Sequence, residues 1–168
     1  SSLTGKERKS AVEVTYRFPG KFRLQINDDQ KVTVVCNGKT TWSYEEPFVP
    51  DEPGQLRITK TNKFPLAQFF DRLKRGLTSN EYYTSRKLEN HGYQIDFKPE
   101  TVKKLGINSA KLSFKSQLED FNAVSEITLI YQNKSEVKLI IESVATNIET
   151  PDDLFTFITP ANTKVIQE

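Results

Sequence analysis

Apolar and polar residues alternate along most of this sequence. Val12, Val14, Tyr16 and Phe18 occupy every second position of the first such segment, and polar residues fill the positions between them. A two-residue period is typical of a β-strand that has one face buried and the other in water. The same alternation recurs along the chain and predicts about ten strands in all. The others lie close to residues 22–26, 32–36, 42–44, 56–58, 82–88, 93–97, 112–114, 127–131 and 137–141.

Short turn signals separate these segments. Pro19-Gly20 follows the first strand, and Asn133-Lys134 lies between the last two. Asn37-Gly38 is the strongest hairpin signal, because both residues tolerate the positive φ that a type I′ turn requires. Strands joined in this way are antiparallel and form a meander. We expect the apolar positions of all of them to share one face.

One segment has a helical period instead. Between residues 64 and 77 the apolar side chains recur at intervals of three and four, and polar side chains occupy the other side. Pro65 suits the first turn of a helix and Gly76 its end. The sequence therefore predicts an amphipathic helix that packs on the sheet. A shorter helical turn is predicted over residues 101–105, and a capped turn over residues 150–155.

A sheet with one apolar face must hide that face from water. One helix is too small to cover about ten strands, so we expect the sheet to curl and the helix to close its opening. The predicted fold is mainly β: an unclosed antiparallel barrel of about ten strands with a helical lid over an apolar cavity. The alternative is an interior filled by its own side chains. The residues expected to line the interior are Tyr16, Phe18, Phe22, Leu24, Val34, Trp42, Tyr44, Leu56, Ile58, Tyr93, Phe97, Phe114, Leu129 and Tyr131.

Length and charge restrict the possible functions. The 168 residues suit one domain, which we place at residues 11–168 after a polar, frayed segment at residues 1–10. The net charge of +2, from 24 basic and 22 acidic residues, produces no strong field and argues against nucleic-acid binding. The sequence has no run of about 18 apolar residues that could span a bilayer.

Residue types that serve catalysis or metal binding are scarce. Cys36 is the only cysteine and follows the apolar phase of its strand, so we expect a buried thiol. His91 is the only histidine and lies at a predicted turn, which leaves no histidine-based triad and no zinc site. We therefore expect no enzyme, no metal and no cofactor. A β-rich hydrolase and a structural adhesion domain are the rival classes.

Three stretches of the chain stand out by their composition, order and spacing. They are residues 17–24 (RFPGKFRL), 34–44 (VVCNGKTTWSY) and 153–166 (DLFTFITPANTKVI). Together they resemble motifs of the bacterial outer-membrane lipoprotein carrier family of the LolA type. The resemblance extends from about Val12 to Ile166.

This resemblance implies an unclosed barrel with helices over an apolar cavity, in the periplasm. It implies a carrier that takes acylated lipoproteins from an inner-membrane ABC transporter and delivers them to an outer-membrane receptor. The acyl chains would lie in the cavity, because each methylene removed from water is worth about 0.8 kcal/mol. We also expect a monomer that binds no nucleic acid. The expected acyl-chain contacts are Tyr16, Phe18, Phe22, Leu24, Val34, Trp42, Tyr44, Leu56, Ile58, Leu66, Phe69, Phe70, Leu73, Tyr93 and Phe114.

Two features depart from the family pattern. Members place an arginine directly before the proline of the first motif, where it helps to hold the lid shut. Phe18 occupies that position here and would add apolar lining, whereas Arg17 precedes it and should point to the opposite face. Members also begin with a signal peptide, a helix and a first strand, and we expect these segments to be missing from this chain. The alternative function is a carrier or sensor domain of the same fold for another lipid or glycolipid.

Overall fold

The computed structural model describes residues 9–60, 64–116 and 121–167. These residues form two compact units. One contains the described parts of residues 7–71 and 150–168, and the other contains the described parts of residues 72–149. Residues 1–8 of the frayed segment predicted at residues 1–10 lie outside the described part of the chain.

The first unit contains a six-stranded sheet. Its strands are β1 (Ala11–Arg17), β2 (Lys21–Asn27), β3 (Val32–Asn37), β4 (Thr41–Glu45), β5 (Gly54–Thr59) and, from the end of the chain, β11 (Thr163–Gln167). The order in the sheet is β1-β2-β3-β4-β5-β11. All neighbours are antiparallel except β5 and β11, which are parallel. We call this part the six-stranded unit.

The turn at Asn37-Gly38 differs from the predicted one. Gly38 has a φ of +92°, but Asn37 is not among the residues with positive φ, so the turn is not of type I′. The Asn37 carboxamide oxygen instead accepts hydrogen bonds from the backbone N–H groups of Lys39 and Thr40, each at 2.9 Å. The hairpin was predicted correctly. The turn type was wrong because the asparagine side chain closes a wider turn.

The predicted amphipathic helix is present but shorter than expected. Helix α1 covers Pro65–Leu73 and begins at the predicted proline. After it, the Gly76 N–H donates to the Leu73 carbonyl at 3.0 Å, and Gly76 has a φ of +94°. A tight turn followed by a left-handed glycine ends a helix. The helical period therefore continues in the sequence for about one turn beyond the helix itself.

The second unit contains a five-stranded antiparallel sheet in the order β10-β9-β8-β7-β6. We call it the five-stranded unit. The short predicted helix is confirmed as α2, and the strands agree with the prediction apart from their ends. The elements are β6 (Tyr83–Leu88), β7 (Gly92–Phe97), α2 (Pro99–Leu105), β8 (Ile107–Phe114), β9 (Val124–Tyr131) and β10 (Glu136–Ile140).

The five-stranded sheet has the one-sided pattern that the sequence predicted. Ile95 lies opposite Ala110, which lies opposite Leu129, and all three are buried. On the other face Gln94 lies opposite Lys111. Residues directly opposite each other share a face, so apolar and polar side chains are separated. The class prediction is confirmed: the described residues are mainly β, with two α-helices and two open sheets.

Candidate functional site

Strand pairing determines which predicted contacts share a face of the six-stranded sheet. Phe22 lies opposite Tyr16 on one neighbouring strand and opposite Cys36 on the other. Leu24 lies opposite Val34 in the same way. These residues therefore lie on one side of the sheet, which we call the helix face.

Four other predicted contacts lie on the opposite side. Trp42 is opposite both Val35 and Ile58, and Tyr44 is opposite Leu56. Because Val35 alternates with Val34 and Cys36, this set points away from the helix face. We call the side that carries Val35, Trp42, Tyr44, Leu56 and Ile58 the tail face. The expectation that all the apolar positions share one face is wrong for this sheet.

The number of residues in one hairpin causes this division. Four residues lie between the paired Cys36 and Thr41, which is an even number. The other antiparallel hairpins of this sheet leave odd numbers between their closing pairs, for example three between Arg17 and Lys21. With an even number, the even-numbered residues of β3 lie opposite odd-numbered residues of β4. Because side chains alternate with a period of two, the even-numbered apolar residues of β4 therefore lie on the face opposite to those of β2. The signal in the sequence was Val34-Val35-Cys36, an apolar run buried on both faces.

Helix α1 packs on the helix face through aromatic rings. The Phe70 ring lies 5.3 Å from the Tyr16 ring and 6.1 Å from the Phe22 ring. Phe64, just before the helix, lies 5.1 Å from Phe22. Leu66 and Phe69 of the same helix are buried. The structure thus brings the predicted helix contacts against part of the predicted strand contacts.

A polar contact joins the same helix to the first hairpin. The Tyr16 hydroxyl donates to Asp71 Oδ1 at 2.6 Å, and the Gly20 backbone N–H donates to the same oxygen at 2.9 Å. Burial raises the pKa of the Tyr16 hydroxyl, and the hydrogen bond to Asp71 raises this pKa further. The hydroxyl therefore remains a protonated donor at neutral pH. Asp71 was not among the residues predicted for this site.

The end of the chain covers the tail face. Residues Asp152–Phe155 form a 3-10 helix, and Phe155 is buried. The Arg17 guanidinium lies 5.1 Å from the centre of the Phe155 ring, and Arg23 Nη1 donates to the Leu154 carbonyl at 3.2 Å. Farther along, the Phe157 ring lies 5.5 Å from the Tyr44 ring.

The sequence profile described as outer membrane lipoprotein carrier protein LolA matches residues 6–158 of the chain. The chain belongs to the LolA family. No curated protein matches it. The first two motifs that carry the resemblance form the β1–β2 and β3–β4 hairpins, and the third runs from the 3-10 helix into β11.

Arg17 of this LolA chain lies on the face of the sheet that its position in the sequence predicted. Arg17 is opposite Lys21, on the tail face, and it binds Asp152 and the Thr150 carbonyl. Phe18 follows the end of β1 in the turn and is 49% exposed. Phe18 therefore lies outside the buried apolar surface of the sheet.

The remaining predicted contacts of this LolA chain belong to the five-stranded unit. Leu73 is buried, and the Tyr93 and Phe114 rings are 6.2 Å apart, with the Lys87 ammonium 5.9 Å from the centre of the Tyr93 ring. Phe97 lies opposite Tyr83 on the apolar side of the sheet.

The single cysteine and the single histidine have the surroundings that the sequence predicted. Cys36 is buried, and His91 lies exposed at a turn with a φ of +50°. Within residues 9–60, 64–116 and 121–167 no group of three or more histidine, cysteine, aspartate or glutamate side chains could hold a metal ion. None of the helices in this part of the chain is long and apolar enough to cross a membrane.

The acid at the start of the 3-10 helix should make stability depend on pH. Lys21 and Arg17 hold the pKa of the Asp152 carboxyl below its ordinary range. A lowered pKa means that the contribution is complete above about pH 4, the unfolded value, and is lost as the pH falls through the folded value. We expect Asp152→Asn to lower the unfolding midpoint in urea slightly at pH 6, because the pair is exposed, and to have a smaller effect at pH 2.

The neighbouring exposed acid provides the control. Asp153→Asn removes the same charge one residue away and should leave the midpoint unchanged at both pH values. An equal loss for the two variants would show that net charge, rather than the contacts of Asp152, produces the effect. High salt should reduce the Asp152 effect as well.

Proposed function

We propose that this protein is a periplasmic carrier that shields the acyl chains of lipoproteins on their way from the inner to the outer membrane. The family match over residues 6–158 carries the proposal. We propose further that an inner-membrane ABC transporter supplies the cargo and that an outer-membrane receptor accepts it.

The proposed acyl-chain site lies between α1 and the helix face. Transfer of a chain of about sixteen carbons from water into an apolar site is worth roughly 12 kcal/mol at 0.8 kcal/mol per methylene. A free chain would therefore not remain dissolved, and a carrier must offer an equally apolar surface. The rings of Phe64 and Phe70, whose centres lie about 5 to 6 Å from those of the helix-face rings, provide such a surface.

The arrangement of faces narrows the expected contact residues. The proposed contacts on the six-stranded unit are Tyr16, Phe22, Leu24, Val34, Leu66, Phe69 and Phe70. Leu73, Tyr93 and Phe114 remain proposed contacts on the five-stranded unit. The proposed acyl-chain contacts exclude four residues of the tail face, Trp42, Tyr44, Leu56 and Ile58.

Binding of a fluorescent fatty acid tests the proposal directly. We expect the purified protein to bind the probe in a saturable manner, and an acylated lipopeptide to displace it. Native mass spectrometry of protein purified from the periplasm should then show an acylated species. A protein that binds neither probe nor lipopeptide would contradict the carrier function. Retention of a glycolipid instead would change the cargo class.

A charge on α1 should weaken this binding. Phe70→Glu places a carboxylate between the Tyr16 and Phe22 rings, and a charge in an apolar site is costly. We expect the probe affinity to fall by about tenfold or more, measured by fluorescence titration. The matched control is Phe48→Glu, because Phe48 is 66% exposed in the β4–β5 loop. Phe48→Glu should change the probe affinity by less than about twofold. An equal loss of affinity in the two variants would show that α1 is not part of the binding site.

A further inference from the structure

One carboxylate joins α1 to two parts of the first hairpin. Asp71 Oδ1 accepts from the Tyr16 hydroxyl of β1 at 2.6 Å and from the Gly20 N–H of the following turn at 2.9 Å. Asp71 is 55 residues from Tyr16 in sequence. We call this group of three residues the clasp.

The position of Asp71 in the helix is electrostatically unfavourable. It lies in the last turn of α1, two residues before the end at Leu73. The carboxyl end of a helix carries a partial negative charge that disfavours acidic side chains. The two hydrogen bonds from the hairpin offset this cost. Their presence identifies Asp71 as a residue placed for contact with the sheet rather than for helix formation.

The clasp differs in kind from the other contacts of the helix. The rings of Phe64 and Phe70 against Phe22 give attraction without direction, and such contacts permit a helix to slide or tilt. Hydrogen bonds to a charged acceptor are short and directional. The clasp therefore fixes where the end of α1 lies on the helix face. Arg17 cannot contribute on that face, because it binds Asp152 on the other side of the sheet.

We propose that Tyr16 and Asp71 are positioning residues whose hydrogen bonds hold α1 closed on the helix face and whose release lets an acyl chain enter beneath the helix. This inference rests on the proposed function for the identity of the ligand. The clasp sets how often the helix moves aside. The apolar rings set how well the chain is held afterwards.

The expected effects follow from the strength of these bonds. A hydrogen bond to a charged group corresponds to about tenfold or more in the equilibrium between the closed and open helix. Tyr16→Phe removes one bond and keeps the ring against Phe70. Asp71→Ala removes both bonds, and Asp71→Asn retains an oxygen that can accept them. We expect Asp71→Ala to shift the equilibrium toward the open helix more than Tyr16→Phe does, and Asp71→Asn to shift it least.

Hydrogen exchange of the α1 amides and stopped-flow binding of the fluorescent fatty acid provide two readouts. We expect Tyr16→Phe to raise both the exchange of amides 68–71 and the association rate by roughly tenfold, with unchanged exchange in β3. The charge control is Glu45→Gln, an exposed residue of β4, which should change neither.

Each result decides the matter. Faster α1 exchange together with faster association supports the clasp. Unchanged α1 exchange in both Tyr16→Phe and Asp71→Ala overturns it. Exchange raised equally in α1 and β3 also overturns it, because the residues would then support general stability alone. If the wild-type protein binds no fatty acid, the carrier function fails and hydrogen exchange still tests whether the clasp holds the helix.

Discussion

Replacing Phe155 with alanine should lower the free energy of unfolding by about 3–5 kcal/mol. The ring is 1% exposed and lies beneath the Arg17 guanidinium. Its removal leaves a cavity under the 3-10 helix and also removes the cation–π contact. Urea unfolding followed by fluorescence measures the loss, since Trp42 is the only tryptophan and lies on the tail face of the same unit.

Two further phenylalanine replacements make this result interpretable. Phe48→Ala removes an exposed ring and should stay within about 0.5 kcal/mol of the wild type. Phe157→Ala removes a half-buried ring that contacts Tyr44 and should lie between the two. A cost below about 1 kcal/mol for Phe155→Ala would mean that the end of the chain is not part of the buried core.

Local periodicity was sufficient to predict most of the fold. Strands β1 to β10, the helix that begins at Pro65 and the short helix near residue 101 were predicted from short stretches of sequence. These features depend on interactions between near neighbours, and a period of two or of 3.6 residues records them directly. The ends of α1 were less certain, because the apolar period continues beyond the glycine that terminates the helix.

The face assignment of β4 and β5 required information that periodicity does not contain. Alternation tells which residues share a face within one strand, but the relation between strands depends on the hairpin. Asn37 closes a turn with four residues between Cys36 and Thr41, so Trp42 of β4 lies opposite Val35 rather than opposite Val34 or Cys36. The two valines at positions 34 and 35 were the available signal for a sheet covered on both sides.

Contacts between distant parts of the chain could not be predicted. Strand β11 pairs in parallel with β5 more than a hundred residues away, and the sequence pattern predicted no strand at residues 163–167. The Asp71–Tyr16 bond is similarly remote, and an aspartate in a helix gives no indication of its partner. The candidate site is therefore the part of the molecule that depends most on tertiary structure.

Replacing Gly54 with alanine should lower the free energy of unfolding by about 2–3 kcal/mol. A β-carbon at this buried position would lie 2.7 Å from two carbons of the Tyr44 ring, which is well inside van der Waals contact. Gly54 is the first residue of β5 and lies opposite Thr163 of β11, while Tyr44 packs against Phe157. The ring must therefore move, and its movement disturbs the contact between the tail and the sheet.

A double-mutant cycle separates this steric conflict from other effects of the glycine. Tyr44→Ala is destabilising by itself, because it removes a buried ring. In that background Gly54→Ala should cost less than about 0.5 kcal/mol, which gives a coupling of about 2 kcal/mol from urea unfolding. A cost that persists without the ring would place the requirement for glycine in the backbone of β5. A cost that disappears shows that Tyr44 occupies the space that the missing side chain leaves free, and that the tail face is packed as tightly as a core.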